Sequence, residues 1–212
     1  MRVIIADDHK MIREGLRALL AAADVDVVGE ASDGHEAIAV AKRLNPDVVI
    51  MDVTMPKLNG IDATQRLSAE MPKVKVIALS MNTDRRYVIA MLRAGAAGYL
   101  LKSGTSEELR NALDIVTRGQ TYLSPSIANS VVDEALHTKS HPPSDRSLSP
   151  RERQVLQLVA EGKSSKEIAA VLNIALPTVE SHRRQLMNKL KLRTIAELTK
   201  YAIREGLTST DK

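Results

Sequence analysis

Short apolar runs and amphipathic stretches alternate along the first 120 residues of this chain. Runs rich in β-branched residues, Val3–Ala6, Val25–Glu30, Val48–Met51, Val76–Ser80 and Gly98–Leu101, have the length of strands. Between them apolar positions recur at helical spacing over Met11–Ala23, Glu36–Leu44, Ile61–Met71, Arg85–Ala94 and Thr105–Arg118. Thr105 with Glu108 three residues later predicts a capping box for the last of these. Five strands alternating with five helices predict an α/β fold, a five-stranded doubly wound parallel sheet, because parallel strands need helical crossovers.

The alternation stops at Thr121. Residues 121–147 read as a linker that holds a short helix from Pro125 to Leu136 and then a polar stretch stiffened by Pro142-Pro143. Beyond it, over 148–212, every pattern is helical, which predicts a second, smaller all-α unit of four helices. Ser149-Pro150-Arg151-Glu152 combines an N-cap, a proline in the first turn and an acid three after the cap. Ser164 and Glu167 repeat the box ahead of Ile168–Leu172. A third helix is expected from about Pro177 to Leu190 and a fourth from about Thr194 to Glu205, closed by Gly206. The short Asn173–Leu176 turn between the second and third helices has helix-turn-helix spacing.

Composition narrows the chemistry. The 212-residue chain has no cysteine, which excludes disulfides, thiolate metal sites and cysteine nucleophiles. Phe and Trp are absent as well, so the cores must be built from Leu, Ile, Val, Ala and Met. A charged, strand-like start and no apolar run of membrane-spanning length predict a soluble, cytoplasmic protein without a membrane partner. The net charge of +4 is unevenly spread. Residues 148–212 carry 12 Lys and Arg against 7 Asp and Glu, a net of +5, whereas residues 1–147 carry a net of −1. A polyanion, if one binds, is expected at the C-terminal third.

Chemistry-bearing residues sit at the predicted strand ends. The first strand runs into Asp7-Asp8, the third into Asp52, the fourth into Ser80 and the fifth into Lys102. In open α/β sheets ligand chemistry gathers at the carboxyl ends of the strands. Several carboxylates together repel, and a hard divalent cation with oxygen ligands relieves that repulsion; Mg2+ fits. Pro56 and Gly60 shape the turn after Asp52. Singly these signals are weak: an Asp pair after a strand is ordinarily a loop start, and a lone Lys a solvated charge. Tyr99 by itself reads as a packing residue with its hydroxyl at the surface. His9 and His35 read as loop residues rather than ligands, and His137 and His141 lack a ligand cluster.

Residues 1–120 resemble the receiver domain of bacterial two-component response regulators, a CheY-like, flavodoxin-like fold. The matching stretches are Ile4-Ile5-Ala6-Asp7-Asp8-His9, Asp47–Asp52 with Met55-Pro56 and Gly60, Ala78-Leu79-Ser80, and Gly98-Tyr99-Leu100-Leu101-Lys102. The resemblance implies that Asp52 accepts a phosphoryl group from a phosphohistidine of a sensor histidine kinase. Asp7, Asp8, Asp52 and the Thr54 backbone carbonyl would hold Mg2+, Lys102 would pair with the phosphoryl oxygens, and Ser80 and Tyr99 would form the switch. Such a chain catalyses only its own phosphorylation and dephosphorylation.

Residues 148–207 resemble the LuxR-type helix-turn-helix of the NarL/FixJ subfamily. Leu148–Leu156, Glu161-Gly162-Lys163-Ser164, Lys166-Glu167-Ile168-Ala169, Thr178–Arg183, Lys189-Leu190, Ala196-Glu197-Leu198 and Tyr201–Arg204 carry it. On the third helix Val179, Leu186 and Leu190 should face the core, leaving Glu180, Ser181, Arg184 and Asn188 outward. Arg184 suits guanine, Glu180 cytosine, and Ser181 is permissive. Thr178, Lys163, Lys166, Arg183 and Lys189 are placed for phosphates. His182 reads as a packing or phosphate-contacting residue. Two positions depart from the pattern: Ala175 stands where a Ser cap is usual, with Pro177 able to pre-set the first turn, and Ser165 stands where Asn is common, which puts that contact in question.

The expected function is a phosphorylation-controlled, DNA-binding transcription regulator that dimerises on promoter DNA through its last helix, with RNA polymerase a further partner open to it. Two rivals remain. A haloacid-dehalogenase-like phosphatase also uses a strand-end Asp and Mg2+, but it needs an acid where Thr54 stands. A receiver that never fires would have no use for Asp7, Asp8, Asp52, Ser80 and Lys102 together.

Overall fold

The computed structural model describes residues 1–81, 83–128 and 148–208. Each apolar run becomes a strand: β1 Arg2–Ala6, β2 Asp26–Ala31, β3 Val48–Asp52, β4 Lys75–Ser80 and β5 Gly98–Leu101. The helices between them are α1 Lys10–Ala21, α2 Gly34–Leu44, α3 Gly60–Glu70, α4 Arg85–Arg93 and α5 Ser106–Thr117. At the start of α5 the Thr105 hydroxyl oxygen accepts from the Glu108 N–H at 3.2 Å, the first half of the expected box.

The sheet corrects the five-strand expectation. A two-residue strand, β6 Tyr122–Leu123, adds to the open edge of β5, so the order is β2-β1-β3-β4-β5-β6 with every pairing parallel. Two residues carry no readable alternation; β6 exists because β5 offers it an unpaired edge. Beyond it the chain turns helical at 125–128, and the rest of the helix expected to Leu136 lies outside the described residues.

Strand side chains alternate between two cores. Val3, Ile5, Val48 and Ile50 face the layer of α1 and α5, where they meet Leu16, Leu20, Leu109 and Leu113. Ile4, Ala6, Val49 and Met51 face α2, α3 and α4, where they meet Ala37, Ala41, Leu67, Val88 and Met91. All five residues of β3 are buried, as a continuous apolar run between two helical layers requires. Each such aliphatic side chain contributes about 1.5–3 kcal/mol on burial. The chain leaves β1 for β2 on one side and returns to β3 on the other, which makes the β1/β3 crevice the topological switch point.

The chain divides into two compact units, Met1–His137 and Thr138–Lys212. The second contains α6 Pro150–Ala160, α7 Ser165–Leu172, α8 Leu176–Leu190 and α9 Ile195–Arg204. Complete capping boxes start α6 at Ser149 and Glu152, α7 at Ser164 and Glu167, and α9 at Thr194 and Glu197. Such a cap contributes about 0.5–2 kcal/mol. Helix α8 begins at Leu176, one residue before the expected start, and Ala175 supplies no side-chain cap bond while Pro177 sits in the first turn. Asn173, in the left-handed region at φ 50°, ends α7 and sets the tight turn into α8. Leu156, Ile168, Val179, Leu186, Leu190 and Leu198 form the core of this unit. Among the described residues no helix is long and apolar enough to cross a membrane.

Candidate functional site: an acidic strand-end pocket and an exposed helix face

Two acids of the β1/β3 crevice are buried at the strand ends, Asp7 at 1% and Asp52 at 3% relative exposure. Burying carboxylates costs several kcal/mol unless cations and donors meet them. Here Lys102, which leaves the end of β5, reaches both: its Nζ lies 2.7 Å from Asp7 Oδ2 and 2.8 Å from Asp52 Oδ2. The backbone aims it, since the Lys102 N–H donates to the Ser80 carbonyl at 2.7 Å. The second Asp52 oxygen accepts from the Thr54 N–H at 3.3 Å. The second Asp7 oxygen accepts from the His9 N–H at 2.9 Å.

The charges set one another. Burial pushes the Asp52 carboxyl up to about 6, the Asp7 charge adds to this, and Lys102 and the Thr54 N–H oppose it. Asp52 therefore remains an anion at neutral pH but a costly one. Burial alone would lower Lys102, and the two carboxylates outweigh it and hold its ammonium above the ordinary lysine value.

One oxygen each from Asp7, Asp8 and Asp52 and one ring nitrogen of His9 lie within 4.8 Å of one another. Three carboxylates converging beside a single lysine leave excess negative charge, and hard oxygen donors so grouped fit a divalent cation such as Mg2+. Thr54 follows Asp52 by two residues and directs its N–H at that carboxylate.

The turn after Asp52 is held on both sides. Gly60 is required there by close approach: a Cβ on it would sit 1.9 Å from the Asp52 carbonyl oxygen. Its N–H donates to the Val53 carbonyl at 2.9 Å, which seats the α3 N-terminus against the end of β3. Across the loop Lys57 Nζ pairs with the buried Asp33 at 2.6 Å, and the Gly34 N–H donates to the Leu58 carbonyl at 3.0 Å. Asp33 and Lys57 stand 24 positions apart with no local pattern joining them, so no sequence signal marks this brace.

Ser80 ends β4, 4% exposed, next to the phosphate-chemistry candidates, and its hydroxyl hydrogen-bonds the Tyr99 phenol. Tyr99 is fully buried, which corrects the expectation of a surface hydroxyl. Burial raises its phenol to about 12 against the Ser80 hydrogen bond. Its ring belongs to the core of Tyr87, Val88, Met91 and Ile127, and its backbone carbonyl accepts from the Ser124 N–H at 3.0 Å.

In the second unit Val179, Leu186 and Leu190 are buried, while Thr178, Glu180, Ser181, Arg184 and Asn188 are exposed on the opposite side of α8. Glu180, Arg183, Arg184 and Asn188 line a groove along that side. Lys163 is half-buried and Lys166 exposed near the start of α7. Two of the expected phosphate contacts, Arg183 and Lys189, have partners within the chain. Arg183 Nη1 donates to the Ser165 hydroxyl, which joins α8 to the first turn of α7. Lys189 Nζ pairs with Glu152 Oε2 at 2.9 Å and ties α8 to the cap of α6. His182 is half-buried, with Nδ1 enclosed.

Comparison with known proteins places each unit in a family. Residues 3–114 match the family model of the response regulator receiver domain, and residues 146–202 that of bacterial regulatory proteins of the luxR family. The transcriptional regulatory protein MctR of Rhizobium johnstonii is 38% identical over 99% of this chain and 96% of its own length. The oxygen regulatory protein NreC of Staphylococcus carnosus is 38% identical over 98% of this chain and 99% of its own. Among solved structures, RcsB of Salmonella enterica serovar Typhimurium, bound to a promoter with the phosphomimetic BeF3−, is 32% identical. It has a TM-score of 0.61 over 98% of this chain and 99% of that one. The chain belongs to the two-component response regulators of the NarL/FixJ type, in which a receiver domain is joined to a luxR-type DNA-binding domain.

Proposed function

We propose that Asp52 is the phosphoacceptor of this regulator and that its phosphorylation controls promoter binding by α8. The observation that carries the reading is the pairing of a buried, ionised Asp52 with Lys102 at 2.8 Å, beside Asp7 and Asp8 at the same sheet edge. A carboxylate oxygen of Asp52 attacks the phosphorus of a phosphohistidine on a sensor histidine kinase. The P–N bond breaks, the imidazole leaves with the electron pair, and an acyl phosphate forms. Asp52 needs no general base because it is already an anion. Such transfers depend on positioning and cations, and Lys102 is placed to follow the charge from carboxylate to phosphoryl oxygens. Mg2+, held by Asp7, Asp8, Asp52 and the Thr54 carbonyl, would offset the charge of the transferring group. The same residues serve the chain's own phosphorylation and dephosphorylation.

The acyl phosphate adds about −1.5 to −2 of charge next to Ser80. Its oxygens compete with Tyr99 for the Ser80 hydroxyl, and the buried ring responds. From Tyr99 the change passes by hydrogen bond to Ser124 and by packing to Ile127, where the receiver ends and the connecting segment begins. We assign 1–120 to the receiver, 121–147 to the linker and 148–212 to the DNA-binding domain. On DNA a homodimer joined by α9 places two α8 helices on paired half-sites, with Glu180, Ser181 and Arg184 toward bases. Lys163, Ser165, Lys166, Thr178, Arg183 and Lys189 are assigned to the phosphates, and RNA polymerase is the next partner at the promoter. The protein acts in the cytoplasm.

The test is to incubate the full chain with Mg2+ and acetyl phosphate, then measure covalent phosphate and affinity for promoter DNA. Label on the wild type, none on Asp52→Asn, and tighter DNA binding by the labelled protein are expected. Equal label on Asp52→Asn removes the phosphoacceptor assignment; label without a change in DNA affinity removes the proposed output.

A further inference from the structure

Strand β1 ends at Ala6, and the two acids that follow it are held from neighbouring elements. The Asp7 N–H donates to the Ala31 carbonyl of β2 at 3.1 Å. The next peptide group, which joins Asp7 to Asp8, is held by a side chain: its carbonyl oxygen accepts from Arg13 Nη1 at 2.8 Å. Arg13 stands in the first turn of α1, and its side chain is 15% exposed. Its Nε donates to Glu30 Oε2 of β2 at 3.0 Å. The other Glu30 oxygen accepts from Arg17 Nε at 2.8 Å and from Arg17 Nη2 at 2.6 Å. The Arg17 hydrogen bond first, and Arg13 with it, hold the Glu30 carboxyl below the usual carboxylate range against its partial burial. The planar guanidinium of Arg13 thus spans two fixed points, a carboxylate on β2 and a main-chain oxygen at the acidic pocket.

We propose that Arg13, anchored by Glu30, is a positioning residue for the cation site: it fixes the plane of the Asp7–Asp8 peptide and so the direction in which the Asp8 carboxylate enters the pocket. The inference rests on the reading that Asp7, Asp8 and Asp52 hold Mg2+. Without an ion these carboxylates repel one another, and rotation of the peptide between Asp7 and Asp8 would carry Asp8 outward. The hydrogen bond to the intervening carbonyl opposes that rotation. Mg2+ demands near-ideal octahedral geometry, so it loses affinity when one ligand swings away. Groups that orient metal ligands through hydrogen bonds alter metal affinity by about 10- to 100-fold. The charge of Arg13 acts in the opposite sense, because a guanidinium near the pocket repels a divalent cation. Loss of the charge and loss of the hold therefore move Mg2+ affinity in opposite directions. Arg17 supplies a contrast, since its bonds are to Glu30 rather than to Asp7.

The test titrates Mg2+ by calorimetry into the metal-free full chain as wild type, Arg13→Met, Arg13→Lys, Arg17→Met and Asp8→Asn, with thermal melts to confirm folding. Arg13→Met retains the aliphatic packing and removes both hydrogen bonds. Its Mg2+ affinity is expected to be about tenfold weaker, although a cation has been taken away. Arg17→Met breaks its own Glu30 pair without touching Asp7 and should stay within about twofold of wild type, which separates a hold on Asp7 from a general loosening of α1 against β2. Arg13→Lys keeps the charge but cannot span both partners, and should fall between wild type and Arg13→Met. With acetyl phosphate as donor, the Mg2+ concentration for half-maximal label should rise by the same factor in Arg13→Met, and excess Mg2+ should restore the label. An Arg13→Met affinity equal to or tighter than wild type, an equal weakening in Arg17→Met, or a label that excess Mg2+ fails to restore overturns the role of Arg13. Should Arg13→Met not fold, wild-type affinity in Arg13→Lys does the same. Loss of Mg2+ binding in Asp8→Asn preserves the cation pocket whatever Arg13 does. Unchanged Mg2+ binding in Asp8→Asn overturns the pocket and this inference together.

Discussion

Replacing Asp52 with asparagine should stabilise the metal-free protein at neutral pH and have no such effect in acid. The buried carboxyl titrates at about 6 in the folded chain against 3.8 when solvated, with burial the largest cause. Well below pH 3.8 it is protonated in both states, and its contribution to stability is fully present. As pH rises toward 6 the unfolded chain releases its proton first, so folding stability falls, and above that the loss is constant. The size of the loss is about 3 kcal/mol. The neutral amide of the Asp52→Asn variant imitates the protonated carboxyl at every pH. The difference between variant and wild type should therefore grow from about 0.5 kcal/mol at about pH 4 to about 3 kcal/mol at about pH 7.5. For a unit of this size that is a melting shift of roughly 10 °C. The full chain, melted in chelator over pH 4–8, reports on this unit through tyrosine absorbance, since Tyr87, Tyr99 and Tyr122 lie in it and only Tyr201 lies in the other. Saturating Mg2+ should close the gap by stabilising the wild type selectively. A difference that stays flat with pH, or that favours the wild type above pH 7, would refute the argument that burial makes this carboxylate costly.

Gly60→Ala places a Cβ 1.9 Å from the Asp52 carbonyl oxygen; a loss of about 2–4 kcal/mol by urea unfolding is expected. An unchanged midpoint would show that α3 and β3 do not meet so closely. Ala175→Ser supplies the missing cap of α8, whose N-cap backbone is already extended at φ −68° and ψ 145°. It should raise stability by about 0.5–1 kcal/mol in thermal melts, and a destabilised variant would contradict the cap geometry. Arg184→Ala should relax preference at one base position by about 1–3 kcal/mol in binding to a set of substituted promoter fragments. Uniform weakening across that set would reassign Arg184 to a phosphate.

Much of the site was legible because its members close neighbouring strands of the sheet, β1, β3, β4 and β5. Asp7, Asp8, Asp52, Ser80 and Lys102 are far apart in sequence, but strand-end positions in a doubly wound sheet meet at one edge. What escaped sequence reading are contacts without a local period. Lys57 bracing Asp33, Arg183 meeting Ser165 and Lys189 meeting Glu152 each join elements whose spacing in sequence carries no signal. A tyrosine taken alone is expected to keep its hydroxyl wet; the burial of Tyr99 depends on Ser80 supplying a partner.

Hydrophobic period and cap residues act within a few positions of one another, so the α/β class, the strand-end chemistry and the capped helices of the second unit are written in local pattern. The sixth strand arises only on folding, because its two residues are held by the edge of β5 rather than by any pattern of their own. The tertiary structure also decided the reason for Gly60, which is a neighbouring carbonyl and not a turn. It decided, too, the turn of His9 toward two carboxylates. In each case the cause is a contact between segments that local sequence patterns do not join, and such contacts exist only once the chain has folded.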